Sequence, residues 1–209
     1  MTYSVKEIFL TVQGEGGQAG RPAVFCRFAG CNLWSGLERD RATAICNFCD
    51  TEFVGTDGAG GGKFKTAGDL AEKVAGYWPG GGRPLVVCTG GEPLLQLDDD
   101  LIAAFKKQGF EIAVESNGTI KAPAGIDWLT VSPKADAAIV QTSGEELKLV
   151  YPQPGVDPAR FEQLDFKRFS LQPMDGPHQM KNAQAAFEYC LVHPKWSLSL
   201  QTHKWIGAP

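Results

Sequence analysis

Short apolar runs that end in glycine and polar clusters recur along the chain, with helical stretches between them. This alternation limits the fold more than any other feature. Residues 84–88 (PLVVC) run straight into Thr89-Gly90-Gly91-Glu92-Pro93, and residues 23–29 (AVFCRFA) run into Gly30-Cys31. Residues 110–115, 128–131, 147–151, 169–172 and 196–202 read as further strands from their β-branched and aromatic content. Between them, residues 66–78 carry Leu70, Val74 and Tyr77 at helical spacing, with Thr66 as the expected cap. Residues 97–108 read as a helix stopped by Gly109, and residues 180–192 as an amphipathic helix. The glycine-rich stretch 55–62 reads as a mobile loop.

Strands alternating with helices imply a mostly parallel sheet, either open and doubly wound or part of a barrel. In both architectures ligands bind beyond the carboxyl ends of the strands. Gly30-Cys31, Thr89-Gly90-Gly91-Glu92, Glu115-Ser116-Asn117-Gly118 and Ser132-Pro133-Lys134 all fall at such ends, so one composite site is expected. A length of 209 residues fits one domain. A net charge of −4 argues against a nucleic-acid binder working through a general basic surface. No secretory signal and no apolar run of membrane-spanning length are visible, so a cytoplasmic location without membrane attachment is expected.

In a reducing compartment, clustered cysteines point to metal more often than to disulfides. Cys31, Cys46 and Cys49 form a C-x14-C-x2-C arrangement in which the close pair is a good thiolate clamp. Three thiolates on a 4Fe–4S cube leave one iron open to an outside ligand. A structural zinc site fits the cysteines alone equally well, although zinc normally takes four protein ligands and the histidines lie far downstream. Cys26, Cys88 and Cys190 sit among apolar neighbours and read as core.

The Thr89-Gly90-Gly91-Glu92-Pro93-Leu94 run resembles the motif with which radical S-adenosylmethionine enzymes bind the methionine amino group of their cofactor. Two glycines allow close backbone approach, and a carboxylate suits an ammonium. The usual cysteine spacing of that superfamily, C-x3-C-x2-C, is interrupted here, because Ser35 stands where the second cysteine is expected and Cys46 follows an inserted stretch. The opening, residues 8–16 (IFLTVQGEG), resembles that of the 7-carboxy-7-deazaguanine synthases, a family that includes members with such an expanded loop. The likeness continues through residues 25–31 (FCRFAGC), Cys49-Asp50-Thr51, Glu115-Ser116-Asn117-Gly118, Ser132-Pro133-Lys134, residues 171–175 (LQPMD) and Gln201-Thr202-His203-Lys204.

The resemblance implies a single domain over residues 1–209, a shortened TIM-like β/α barrel with a cluster-loop insertion at about 32–62. It also implies a homodimer, and a flavodoxin or ferredoxin as electron donor. The implied reaction converts 6-carboxy-5,6,7,8-tetrahydropterin to 7-carboxy-7-deazaguanine with loss of ammonia, initiated by a radical from S-adenosylmethionine. Cys31, Cys46 and Cys49 then hold the 4Fe–4S cluster, and Thr51 takes the Mg2+ position. Gly91 and Glu92 meet the S-adenosylmethionine amino group. Phe48, Cys49, Asp50 and the Gln172-Pro173-Met174-Asp175 run lie near the adenine, and Glu115, Ser116, Ser132, Pro133 and Lys134 hold ribose and carboxylate. Val12, Gln13, Gly14, Glu15 and Thr89 face the pterin, Arg27 its carboxylate, with His203 and the terminal Pro209 as further contacts. Two other readings are a glycyl-radical activase and a non-catalytic cluster or zinc protein, but neither uses both the QGEG opening and the SPK motif.

Overall fold

The computed structural model describes residues 2–209. Nine strands form one sheet: β1 (Tyr3–Val12), β2 (Pro22–Phe28), β3 (Gly62–Phe64), β4 (Leu85–Gly90), β5 (Glu111–Ser116), β6 (Trp128–Val131), β7 (Ser143–Tyr151), β8 (Asp165–Pro173) and β9 (Trp196–Leu198). Their order is β3-β1-β2-β4-β5-β6-β7-β8-β9. Every pairing from β2 to β9 is parallel, while β1 runs antiparallel to both β2 and β3. Helices α1 (Ala67–Ala75), α2 (Asp99–Lys107) and α3 (Gln179–Val192) flank the sheet, and a short α4 (Thr202–Trp205) lies near the chain end. The result is the partial β/α barrel that the resemblance implied, one of the two architectures the alternation allowed.

Strand periodicity divides the side chains into two sets. Val24, Cys26 and Phe28 of β2, Val86 and Cys88 of β4, Ile112 and Val114 of β5, and Leu147 and Leu149 of β7 belong to the main core. Leu70 and Val74 of α1 and Leu101, Ile102 and Phe105 of α2 cover that face. The opposite, inward face begins with a small apolar plug of Ala23, Leu85, Val87 and Ala113. In the same phase, nearer the carboxyl ends, stand Arg27, Thr89, Glu115, Thr130, Lys148 and Gln172, held in step by pairs such as Arg27↔Thr89, Glu115↔Thr130 and Val150↔Gln172. Changing from aliphatic to polar along this face turns the upper barrel into a cavity instead of a core.

Local signals account for the helix starts. Thr66 caps α1 by accepting from Asp69 N at 3.1 Å, and Asp98 caps α2 by accepting from Leu101 N at 3.0 Å. Three expectations need correction. The last strand ends at Leu198, and Thr202 begins α4 instead, its backbone N–H and hydroxyl both bonded to Gly14 O. Helix α3 forms, but it meets the sheet through the narrow Ala186–Tyr189–Cys190 stripe and leaves Met180, Phe187, Leu191 and Val192 exposed, so it is not amphipathic in the expected sense. The glycine-rich stretch is stitched to β1, with Gly58 N on Lys6 O at 2.9 Å and Ile8 N on Ala59 O at 2.8 Å. A Cβ at Gly61 would lie 2.1 Å from Lys6 O, so the glycine serves close approach. The strand β1 itself, with alternating burial, was not separated from the QGEG motif by sequence reading.

Asp98 also accepts the hydroxyl of the buried Tyr3 at 2.7 Å, tying β1 to α2. Asp98→Ala removes a cap and strands a buried hydroxyl, so a loss of about 2–3 kcal/mol is expected. Chemical denaturation checks this, and a midpoint unchanged from wild type contradicts it.

Candidate active site

A cavity of about 330 Å³ opens at the carboxyl ends of the parallel strands. Its walls bring together residues of motifs spread along the whole chain. Cys31, Cys46 and Cys49 line it, as do Phe48, Asp50 and Thr51. So do Val12, Gln13, Gly14, Glu15, Arg27, Thr89, Gly91, Glu115, Ser116, Ser132 and Lys134. Gln172, Pro173, Met174 and Asp175 close one side, and His203 and Pro209 return from the chain end. Of the candidate residues only Glu92 and Pro133 lie outside the lining. Pro133 is buried behind the wall, where its carbonyl accepts from Gln153 Nε2 at 3.4 Å.

Glu92 is engaged by donors of its own chain. It is fully buried, and its carboxylate accepts from Leu94 N at 3.0 Å, Ser116 Oγ at 2.9 Å and Asn117 N at 2.7 Å. Burial raises its carboxyl above the ordinary value, against the pull of those donors. The knot joins the ends of β4 and β5, and Asn117 Nδ2 extends it to Asn32 Oδ1 at 2.9 Å, beside Cys31. Gly91 shows why the neighbouring residue must be small: a Cβ there would lie 2.1 Å from Gly30 O and 2.8 Å from Cys31 Cβ. Gly91 therefore packs directly on the cysteine loop.

The inserted loop has its own fastening. Arg41 Nη1 donates to the carbonyls of Asn47 at 3.0 Å and Cys49 at 3.1 Å, and its guanidinium lies over the buried Trp34 ring at 4.1 Å. Trp34 in turn meets Phe53 edge-on at 5.6 Å. Within the loop, the Cys46 thiol donates to Cys49 and brings Cys49 down to about 6, while Cys46 itself is pushed up. Among the described residues no group of three or more His, Cys, Asp or Glu is arranged to hold a single metal ion. The donor set fits a cluster, whose irons take one thiolate each, better than zinc, which gathers four ligands on one ion. Close to these thiols, Lys134 Nζ donates to Ser132 Oγ at 2.7 Å and lies 5.9 Å from the Phe48 ring. Burial lowers Lys134 below the ordinary lysine value.

Another part of the wall is built on the QGEG turn. Gln13 Nε2 donates to Glu115 Oε1 at 3.0 Å, and Glu15 N donates to Gln13 Oε1 at 3.0 Å. Gly17 N donates to the buried Glu146 at 2.8 Å, and Gly16 N to Ser199 Oγ at 2.8 Å. Arg27 donates through Nε to Glu7 at 2.7 Å, while its Nη1 and Nη2 make no hydrogen bond among the described residues. Sequence reading missed Lys148, Gln201 and Lys204. Their signals were a lysine in the inward phase of an apolar strand, and two polar residues in a run recognised only as a likeness. Lys204 Nζ joins Asp50 at 2.9 Å to Asp175 at 2.7 Å across the mouth.

A partial β/α barrel with three thiols and a glycine-built strand end on one cavity wall defines a protein of the radical S-adenosylmethionine class, and a family profile described as "Radical SAM superfamily" matches residues 40–141. Two relatives named 7-carboxy-7-deazaguanine synthase align over the whole of both chains: one from Caulobacter vibrioides is 69% identical over 210 residues, and one from Burkholderia multivorans is 59% identical over 210. A crystal structure of QueE from Escherichia coli superposes with a TM-score of 0.73 at 27% identity, covering 97% of this chain and 95% of that one. The chain belongs to the 7-carboxy-7-deazaguanine synthase family.

The fit of the chain end against the QGEG turn is testable. A Cβ on Gly14 would lie 2.0 Å from His203 Nδ1. Gly14→Ala is therefore expected to push α4 outward and break the Thr202 N to Gly14 O bond of 2.9 Å. Hydrogen exchange at Thr202 then accelerates, and exchange equal to wild type contradicts the packing.

Proposed function

We propose that the chain converts 6-carboxy-5,6,7,8-tetrahydropterin to 7-carboxy-7-deazaguanine with loss of ammonia, using a 4Fe–4S cluster, S-adenosylmethionine and Mg2+. The observation that carries this reading is the shared cavity, which is lined by both the three thiols and the QGEG turn. When bound, the cluster and S-adenosylmethionine supply one-electron cleavage of a carbon–sulfur bond and hydrogen-atom abstraction. The chain's own residues bind, orient and enclose.

Cys31, Cys46 and Cys49 would hold the cluster, with three thiolates against the four protein ligands a structural zinc takes. The Gly91 backbone, Ser132 and Lys134 receive the polar end of S-adenosylmethionine, with Glu92 acting from behind the wall by fixing Ser116 and Asn117. Gln13 and Glu15 read the donor and acceptor edge of the pterin. The two unbonded Arg27 nitrogens form a fork for its carboxylate, while Glu7 fixes the side chain through Nε. His203 and the terminal Pro209 complete that side. Trp34, Phe53 and Leu33 keep the cysteine wall apolar, which excludes water from it. Thr51 offers a hydroxyl to Mg2+, which draws its other ligands from water and substrate oxygens.

A homodimer and a flavodoxin or ferredoxin donor belong to the same proposal. No helix of the described residues is long and apolar enough to cross a membrane, and a cytoplasmic location is proposed with the rest. A glycyl-radical activase needs no pterin wall, so the QGEG turn and Arg27 favour the synthase.

The test is anaerobic turnover by cluster-reconstituted protein with S-adenosylmethionine, reductant, Mg2+ and the tetrahydropterin, read by mass spectrometry. Formation of 7-carboxy-7-deazaguanine is expected. Cleavage of S-adenosylmethionine without that product would discard the substrate and restore the activase reading. Thr51→Ala is expected to weaken the Mg2+ response at unchanged iron content, and an unchanged response removes Thr51 from the magnesium site.

A further inference from the structure

Lys148 is the most enclosed cation in the cavity wall, and nothing in the proposed mechanism yet uses it. Its side chain is 6% exposed, and Nζ ion-pairs with Glu15 Oε2 and lies 3.4 Å from Glu115 Oε1. Gln201 Nε2 takes the other Glu15 oxygen at 3.0 Å and reaches Asp50 at 3.2 Å. Both oxygens of Glu15 are thus held by neighbours in the cavity wall, which fixes the carboxylate. Lysine is rarely buried without partners, because removing an ammonium from water is costly. Here two carboxylates offset that cost.

We infer that Lys148 is a positioning residue for substrate recognition: it keeps Glu15 ionised and aimed, so that the carboxylate can accept the paired N–H donors of the pterin ring. This deepens the proposed function and rests on it. A protonated Glu15 would present a donor to donors and lose one acceptor. The surroundings make ionisation conditional. Asp50 of the cysteine loop, Glu115 of β5 and Glu146 of β7 all place negative charge near Glu15 or Lys148, while Lys134 and Lys204 lie on neighbouring segments and His203 packs on Gly14. Burial works to raise the Glu15 carboxyl, but the Lys148 ammonium and the Gln201 amide outweigh it and hold the group below the ordinary carboxylate range. Without Lys148 only the Gln201 amide opposes the burial and the neighbouring carboxylates, which act upward. Glu15 then takes up a proton as the pH falls, at values where the wild-type carboxylate stays charged.

The probe is 6-carboxypterin, the oxidised and unreactive relative of the substrate. Its binding to cluster-loaded protein with S-adenosylmethionine is measured by calorimetry from about pH 6 to about pH 8, a window above ordinary carboxylate titration. Wild type is expected to show no Glu15-linked loss across the window. Lys148→Met is expected to bind about tenfold more weakly at neutral pH, the size of a lost charged hydrogen bond, and progressively more weakly as the pH falls. Lys148→Arg, which keeps the charge, is expected to restore the level profile. In a Glu15→Gln background, Lys148→Met is expected to add no pH dependence, because the titrating group is gone.

A Lys148→Met protein that binds with wild-type affinity and a level profile overturns the inference. A loss equal at every pH also overturns it, since that is the mark of disturbed packing. The Glu15 titration itself, followed by carbon-13 NMR of glutamate-labelled wild type and Lys148→Met, separates this inference from the substrate assignment. An upward move in protein that binds no 6-carboxypterin refutes the substrate and leaves the hold on Glu15 intact. An unmoved titration refutes the role of Lys148.

Discussion

Parallel pairing from β2 through β9 is the constraint on which the rest of the structure depends. Each of those strands must end at the same rim, so every segment that follows one emerges around one opening. Motifs that are far apart in sequence thereby become neighbours. Cys31 follows β2, Gly91 follows β4, Asn117 follows β5, Ser132 follows β6 and Met174 follows β8. The same phase that places aliphatic side chains in the lower barrel places Arg27, Thr89, Glu115 and Lys148 in its upper half. A shift of one residue in any strand would turn its polar member into the helix-covered core.

At this rim, carboxylates hold the wall together as much as they face ligands. Glu92 ties β4 to β5 and, through Asn117 and Asn32, to the residue beside Cys31. Glu146 holds the Gly17 amide at 2.8 Å and Ser170 Oγ at 2.5 Å, fixing the QGEG turn against β8. Arg41 fastens the inserted loop through two carbonyls and the face of Trp34. The two walls are therefore built by different means, one by buried carboxylates around a glycine turn and the other by an arginine and aromatic rings around the thiols.

Much of this was legible in the residues. Trp128–Val131 forms a strand with the bounds its composition suggested, and Thr66 caps the helix it was expected to cap. The convergence of Cys31, the glycine motif, Glu115–Gly118 and Ser132–Lys134 followed from strand-end placement, whereas the QGEG turn joined them only through the resemblance. What escaped had physical causes. The side chain of Glu92 turns away from the cavity because three nearby donors compete for it, and donors on Ser116 and Asn117 cannot be placed from a motif. Lys148 was hidden because an apolar strand shows a buried lysine only once its partners, Glu15 and Glu115, are known to stand opposite. Helix α3 misled because apolar spacing does not reveal that the contact stripe is only as wide as Ala186 and its flanks.

The central proposal is that Cys31, Cys46 and Cys49 would hold a cluster to which S-adenosylmethionine binds directly. Electron paramagnetic resonance of reduced, cluster-loaded protein addresses it directly, using S-adenosylmethionine with an isotopically labelled carboxylate. The account requires the cluster signal to change shape on addition of S-adenosylmethionine and to show coupling to the label. A spectrum unaltered by saturating S-adenosylmethionine, from protein carrying a full cluster, would contradict it.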